Sequence, residues 1–260
     1  WPMWLVVVNP RAGLGSAATL ATQIVGYLRT HEVSFEMVSP ASATESKSVV
    51  RNLLTSGNFT KILSVGGDGL FHLLLQIAIE FKLPLAIAPG GTGNDFYRTL
   101  GWHDTELTEY LNHLIGTEPE LIDVGVVDGE YFGAVLSSGF DSVVNERANR
   151  MSWPKGPAKY NAAIALELPK FKAIEFKIFA DEKILEVEAM LIAIGNGSSY
   201  GGGMKVCPDA DLRDGLLDIM ILHPISKFEF IKVFPTVYQG THIKHPEVEI
   251  IRAKEIRIES

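Results

Sequence analysis

Three times before residue 100 the chain runs an apolar stretch straight into a cluster of glycines. Trp4 to Val8 leads into Asn9-Pro10-Arg11-Ala12-Gly13-Leu14-Gly15-Ser16. Leu63 to Val65 leads into Gly66-Gly67-Asp68-Gly69-Leu70, and Leu85 to Ala88 leads through Pro89 into Gly90-Gly91-Thr92-Gly93-Asn94-Asp95-Phe96. An apolar strand that stops in glycine, with an amphipathic helix behind it, is how α/β proteins bring backbone N–H groups up to a phosphate. Gly66, Gly67 and Gly69 lack a Cβ, so the chain can turn tightly there and a ligand can come close. Asp68 stands alone among them, in a natural place for a carboxylate that meets Mg²⁺ on phosphates. The pattern points to nucleotide-dependent phosphoryl transfer.

The segments between the glycine loops complete the alternation. Ser34 to Val38, Lys61 to Val65 and Leu85 to Ala88 read as strands; Ser16 to about Arg29, Thr44 to Thr55 and Leu70 to Phe81 read as helices. Strands alternating with helices imply a parallel sheet with helices on both faces and ligands at the carboxyl ends of the strands. All three loops lie at such ends. Beyond about Gly116 the grammar changes. Leu121 to Val127 and Tyr131 to Leu136 flank Asp128-Gly129-Glu130 as a β-hairpin would, and Ile174 to Ala180 with Ile184 to Ile194 reads as another. Leu216 to Leu222 and Val248 to Ile258 alternate as strands, with helices expected near Ala158 to Leu168 and Lys227 to Tyr238. The expected organisation is an α/β domain over 1–120 and a mainly antiparallel β-sandwich domain over 121–260.

Composition narrows the class. With 260 residues, 47% of them hydrophobic, the chain can hold one large domain or two ordinary ones, each able to bury a core. A formal net charge of −8 argues against a dedicated nucleic-acid binder. A lone cysteine, Cys207, rules out an internal disulfide framework and fits a reducing compartment; with no signal peptide visible, a cytoplasmic location is expected. The start at Trp1 suggests a trimmed chain. The longest apolar candidate, Leu70 to Phe81, is interrupted by His72, Gln76 and Glu80 and falls short of the roughly 18 residues of a membrane span. A lipid-handling chain of this kind would visit the inner face of a membrane rather than cross it.

Further motifs extend over the whole chain: Asp123-Val124-Gly125, Gly139-Phe140-Asp141, Gly195-Asn196-Gly197, Tyr200-Gly201-Gly202-Gly203-Met204, Pro208-Asp209-Ala210 and Asp214-Gly215-Leu216-Leu217-Asp218. In this order, together with the three loops, they resemble the diacylglycerol kinase catalytic family, particularly its bacterial lipid kinases, with sphingosine kinases as relatives. The resemblance implies a Rossmann-like, NAD kinase-like nucleotide domain, a β-sandwich domain, an active site in the cleft between them, and ATP with Mg²⁺ as cofactors. It implies that Asn9, Pro10, Arg11, Ala12, Gly13, Gly66, Gly67, Asp68, Gly69, Leu70, Thr92 and Asn94 lie against the nucleotide, with Ser39 as a hydroxyl contact. Asp68 would hold Mg²⁺–ATP as the catalytic carboxylate. Asp214, with carbonyls at Asp211 and Leu216, is similar to the family's structural Mg²⁺ site, which Asp123 and Thr92 would couple to the cleft. The implied partner is a lipid such as diacylglycerol at a membrane surface; a homodimer stays open.

Three departures bear on activity. Leu70 stands where the family commonly has Thr, Leu73 where it commonly has Glu, and the resemblance implies that the family's Asp-Gly-Glu segment, with its general base, should lie in a strand beyond Ser260. Each site residue also has a purely structural reading. Asp68 could be a helix cap, as could Asn94 and Asp95; Asp95 is also the nearest in-chain substitute for the base. Asp214 before Gly215 could be turn chemistry alone. Phe140, Trp153 and Phe171 could line an acyl-chain slot or simply be core. Two other functions stay open: a kinase of a soluble substrate such as NAD, since NAD kinases and phosphofructokinases share the Gly-Gly-Asp-Gly turn, and a non-catalytic nucleotide- or lipid-binding homologue.

Overall fold

A computed structural model of the chain describes residues 3–153 and 157–260. They form two compact units: the chain up to Gly133 together with Gly201–Gly203, and Ala134–Tyr200 with Met204–Ser260.

The first unit is built as β1 (Met3–Val8), α1 (Ser16–Thr30), β2 (Phe35–Val38), α2 (Ala43–Ser56), β3 (Phe59–Gly66), α3 (Asp68–Phe81), β4 (Leu85–Pro89), α4 (Asp95–Thr99), α5 (Leu107–Gly116), β5 (Gly125–Val127) and β6 (Glu130–Phe132). β1 to β4 pair in parallel in the order β2-β1-β3-β4. Alternate residues of β1 face opposite sides, as a period of two requires. Val6 and Val8 pack with Ile24 and Leu28 of α1 and Leu111 of α5, whereas Leu5 and Val7 pack with Val50 and Leu54 of α2 and Leu74 and Ile77 of α3. Helices cover both faces, so the strand tips at the carboxyl edge are what the sheet leaves for a ligand. α2 starts where Ser42 Oγ accepts the Glu45 N–H at 3.1 Å and Glu45 reaches back to the Ala41 N–H at 2.7 Å, a capping box shifted one residue toward the N-terminus on its return bond.

The units divide after Gly133 and not near Glu120; the hairpin β5–β6 stays with the first. Gln76 of α3 exchanges two hydrogen bonds with the backbone of Tyr131, at 2.8 and 2.9 Å, and Gly133 lies against the stacked rings of Phe71 and Phe96. The Asp128-Gly129 turn of that hairpin has φ of 49° and 81°, as a two-residue type I′ turn demands.

The second unit comprises β7 (Val135–Gly139), α6 (Phe140–Arg150), α7 (Pro157–Glu167), β8 (Ile174–Ala180), β9 (Lys183–Ala189), β10 (Leu191–Gly195), β11 (Leu217–Leu222), α8 (Lys227–Val233), β12 (Val248–Ala253) and β13 (Ile256–Glu259). Two antiparallel sheets, β12-β11-β10-β7 and β13-β8-β9, share a core of Phe176, Ile178, Ile192, Ile219 and Ile221. The apolar runs 184–194 and 248–258, each expected as one strand, both split and pass from one sheet to the other. Asp181 holds one such corner, its Oδ1 accepting the N–H groups of Lys254 and Glu255 at 3.0 and 2.9 Å. The outer face of the larger sheet, with Ala193, Met220 and Leu222, is covered by α6, α7 and α8. Phe140 and Phe171 are part of this cluster, with ring centroids 5.1 Å apart, and Trp153 is 79% exposed. The three therefore do not form a common slot.

Candidate active site

A groove of about 620 Å³ opens at the carboxyl edge of the parallel sheet. Its walls are Asn9 and Arg11–Gly13 after β1, Pro40–Ala43 and Ser46 at the start of α2, Gly67–Leu70 and Leu73 at the start of α3, and Gly91–Gly93 after β4. The sequence-derived set thus converges at Asn9, Arg11, Ala12, Gly13, Gly67, Asp68, Gly69, Leu70 and Thr92. Pro10, Gly66, Asn94 and Ser39 are not part of the wall. Ser39 is exposed at the end of β2, one residue before the wall begins at Pro40. Leu70 and Leu73 are 9% and 7% exposed and also belong to the core beneath.

The glycines let the loops lock backbone to backbone. A Cβ on Gly91 would sit 2.5 Å from the Gly67 Cα, and one on Gly13, where φ is +57°, would sit 2.4 Å from the Gly90 carbonyl oxygen. The Gly90 N–H donates to the Gly66 carbonyl at 2.8 Å, and Ser16 Oγ donates to the Gly90 carbonyl at 3.3 Å. Asn94, in the left-handed region at φ 53°, folds its amide back onto Gly91, accepting its N–H and donating to its carbonyl, both at 2.9 Å. What remains for a ligand is the N-terminus of α3. There the N–H groups of Gly67, Asp68 and Gly69 belong to the first turn, which has no intrahelical acceptors, and the helix dipole favours negative charge.

Asp68 caps a helix other than its own. Its Oδ1 accepts the N–H of Asp95, the first residue of α4, at 2.8 Å, and so ties the loop after β3 to the loop after β4. Its Oδ2 lies beside Gly93, 2.8 Å from where a Cβ would stand, on the groove wall. Asp95 does not serve as a free carboxylate. It is 6% exposed and its two oxygens take the N–H groups of Gly202 (3.1 and 2.9 Å) and Gly203 (2.7 Å). Burial pushes its pKa up and the two backbone N–H groups pull it down, with Asp68 adding to the rise and Arg98 opposing it. Gly201, Gly202 and Gly203 all have positive φ (63°, 83° and 103°), which turns successive N–H groups toward one anion. Arg98 supports the loop by donating from Nε to the Gly93 carbonyl at 3.2 Å. From the sequence alone Asp95 reads as a cap or a substitute base. Its partners lie more than 100 residues away in the chain, beyond the reach of any local pattern.

In the second unit, Asp211 and Asp214 both form Asx turns, accepting the N–H of Arg213 at 3.0 Å and of Leu216 at 2.9 Å. Such turns leave a second carboxylate oxygen and nearby carbonyls open to a hard cation. Arg252 competes for that place: it lies 4.0 Å from Asp214 Oδ2 and 2.9 Å from Oδ1 of Asp218, which is 2% exposed. Burial raises the Asp218 pKa, and Arg252 offsets part of the rise. No group of three or more His, Cys, Asp or Glu among the described residues forms a ready metal cluster. Asp218 and Arg252 were not among the expected site residues.

Comparison with known proteins shows the family. Residues 3–127 match the diacylglycerol kinase catalytic domain, and residues 134–260 match the YegS C-terminal NAD kinase beta sandwich-like domain. A Mycobacterium tuberculosis protein named diacylglycerol kinase is 33% identical over 260 residues, covering 97% of this chain and 84% of that protein. A Bacillus subtilis diacylglycerol kinase is 28% identical, covering 77% of this chain and 67% of its own length. A Bacillus anthracis crystal structure provisionally described as a diacylglycerol kinase superposes with a TM-score of 0.75 at 25% identity, covering 99% of this chain and 85% of that one. The chain belongs to the diacylglycerol kinase catalytic family and is a homologue of the bacterial diacylglycerol kinases.

Proposed function

We propose that the chain is an ATP-dependent lipid kinase that transfers the γ-phosphate to a hydroxyl of diacylglycerol or a closely related lipid, visiting a membrane surface to do so. The observation that carries the reading is the convergence of three glycine loops on one groove, with a single carboxylate, Asp68, on its wall. Phosphoryl transfer depends on positioning and charge neutralisation more than on covalent help. The N–H groups at the start of α3 supply donors for phosphate oxygens, and the Gly69 position leaves room for them to approach. Asp68 lines the groove, where its carboxylate would meet the Mg²⁺ that accompanies ATP as substrate. Asp95 keeps the Gly201–Gly203 turn fixed beside that carboxylate. Asp214, with the carbonyls of Asp211 and Leu216, would hold a structural Mg²⁺ that orders their turn.

The test is transfer from labelled Mg²⁺–ATP to a panel of diacylglycerol vesicles, NAD and sugars. Label in lipid supports the proposal; label in NAD or a sugar alone overturns it. Asp68→Asn should lower transfer by more than about 10²-fold while the melting temperature holds, because the Asn carbonyl can still accept the Asp95 N–H. Full activity in that variant would reduce Asp68 to a cap. A second reading, nucleotide binding without transfer, is favoured by the buried apolar Leu70 and Leu73 on the groove wall. Binding with no label in any acceptor would select it.

A further inference from the structure

The segment 227–239, α8 followed by the 3₁₀ helix Phe234–Gln239, carries two apolar faces. Phe230, Val233, Phe234 and Val237 point inward and pack with α6 and the larger sheet. Phe228, Ile231, Pro235 and Tyr238, spaced i, i+3, i+7 and i+10, point outward; Phe228, Ile231 and Tyr238 are 69%, 61% and 47% exposed. A surface helix of a water-soluble unit ordinarily carries polar residues there.

The charge around this stripe is cationic. Lys232 stacks on the Phe228 ring at 4.3 Å, and Lys227 donates to the Phe171 carbonyl, which places exposed Lys170 and Lys172 beside the start of α8. Of the nearby acids, Glu167 is paired with Arg147, and Glu229 is hydrogen-bonded to His245 at 3.2 Å, so four lysines face one unneutralised carboxylate. On a chain of formal net charge −8, this local excess of lysine is complementary to an anionic surface. Aromatic and aliphatic side chains flanked by lysines, lying along one short helix, are what an interfacial helix presents to headgroups and the acyl boundary.

We propose that the outer face of 227–239, with Lys170, Lys172, Lys227 and Lys232, docks onto an anionic lipid bilayer, Phe228 and Ile231 inserting at the headgroup level. Its purpose rests on the lipid-kinase reading, but its test needs no turnover. The full chain is sedimented with phosphatidylcholine vesicles containing 0 or 30% phosphatidylglycerol (roughly the anionic content that attracts such patches). Binding is expected only with the anionic lipid and is expected to weaken with salt. The double substitution Phe228→Ser with Ile231→Ser should reduce partitioning at least about tenfold, and Lys170→Gln with Lys172→Gln should flatten the dependence on phosphatidylglycerol. Transfer to a water-soluble short-chain acceptor should be unchanged in both variants, so a failed kinase reading is distinguishable from a failed docking face. The proposal is overturned if the unaltered chain ignores anionic vesicles, if both variants partition as it does, or if it is a dimer that Phe228→Ser with Ile231→Ser converts to monomer.

Discussion

Gly69→Ala separates a groove shaped for a ligand from a groove that is merely open. Gly69 lies in the first turn of α3, is exposed, and has nothing within 4 Å of where a Cβ would be. Without ligand, alanine is therefore free to help: it is a better helix former than glycine by about 0.8–1.0 kcal/mol in a helix interior, and roughly 0.5 kcal/mol is a fair share for a first-turn position. With ligand the sign reverses. If phosphate oxygens approach the α3 N-terminus, the methyl occupies their place, and a displacement of about 1 Å can cost as much as 10²-fold; a tenfold loss of affinity is the conservative expectation. At a nucleotide concentration about 100 times the original Kd, binding stabilises the unaltered chain by about 2.7 kcal/mol, but a tenfold weaker variant by only about 1.4 kcal/mol. The variant should melt above the unaltered chain when empty and below it when loaded, by about 0.8 kcal/mol on these figures. Thermal unfolding with and without Mg²⁺–ATP, beside calorimetric titration, reads both signs. A variant that is more stable by the same margin in both conditions would refute the reasoning, since the space above Gly69 would then not belong to the nucleotide.

Asp95→Asn should loosen the Gly201–Gly203 turn. An amide can accept one of the two N–H groups but meets the other with its own donor, so a loss of about 1–3 kcal/mol is expected, with faster hydrogen exchange at Gly202 and Gly203. Because the folded pKa of Asp95 lies above its unfolded value near 3.8, the folded chain binds more protons in the window just above that value. Asp95 therefore lowers stability as pH rises through the window. Asp95→Asn should remove that contribution, which urea titrations across the acid range would show; an unchanged slope would count against it. Arg252→Ala should cost about 3 kcal/mol by leaving a buried carboxylate unpaired. The loss should shrink as pH falls and Asp218 takes up a proton, and adding Asp218→Asn should restore part of it.

The alternation of apolar runs and glycine turns was enough to read the parallel sheet, because each strand of a sheet buried on both faces is a continuous apolar run. The positions of the three loops followed from the same rule. The helix Phe140–Arg150 is hard to read because Phe140, Val144 and Ala148, at i, i+4 and i+8, are its only buried residues, a thin stripe among polar neighbours. The passage of 184–194 and 248–258 between two sheets is not legible, because both sheets ask for apolar alternation; the first run breaks at Met190 and the second at Lys254 and Glu255, which Asp181 holds from a distant part of the chain. In the site, glycine spacing revealed which loops meet, but not that their glycines touch one another at Gly67 and Gly91. Nor did it reveal that Asp68 and Asp95 fasten loops distant in sequence, since hydrogen bonds of that span leave no periodic trace.

Crystals grown with Mg²⁺ and a non-hydrolysable ATP analogue test the central claim most directly. The triphosphate is expected against the N–H groups of Gly67, Asp68 and Gly69, with its metal facing Asp68 Oδ2 and the nucleoside running toward the walls at Asn9–Gly13 and Pro40–Ser46. A nucleotide bound elsewhere on the chain, with that groove left to solvent, would contradict it.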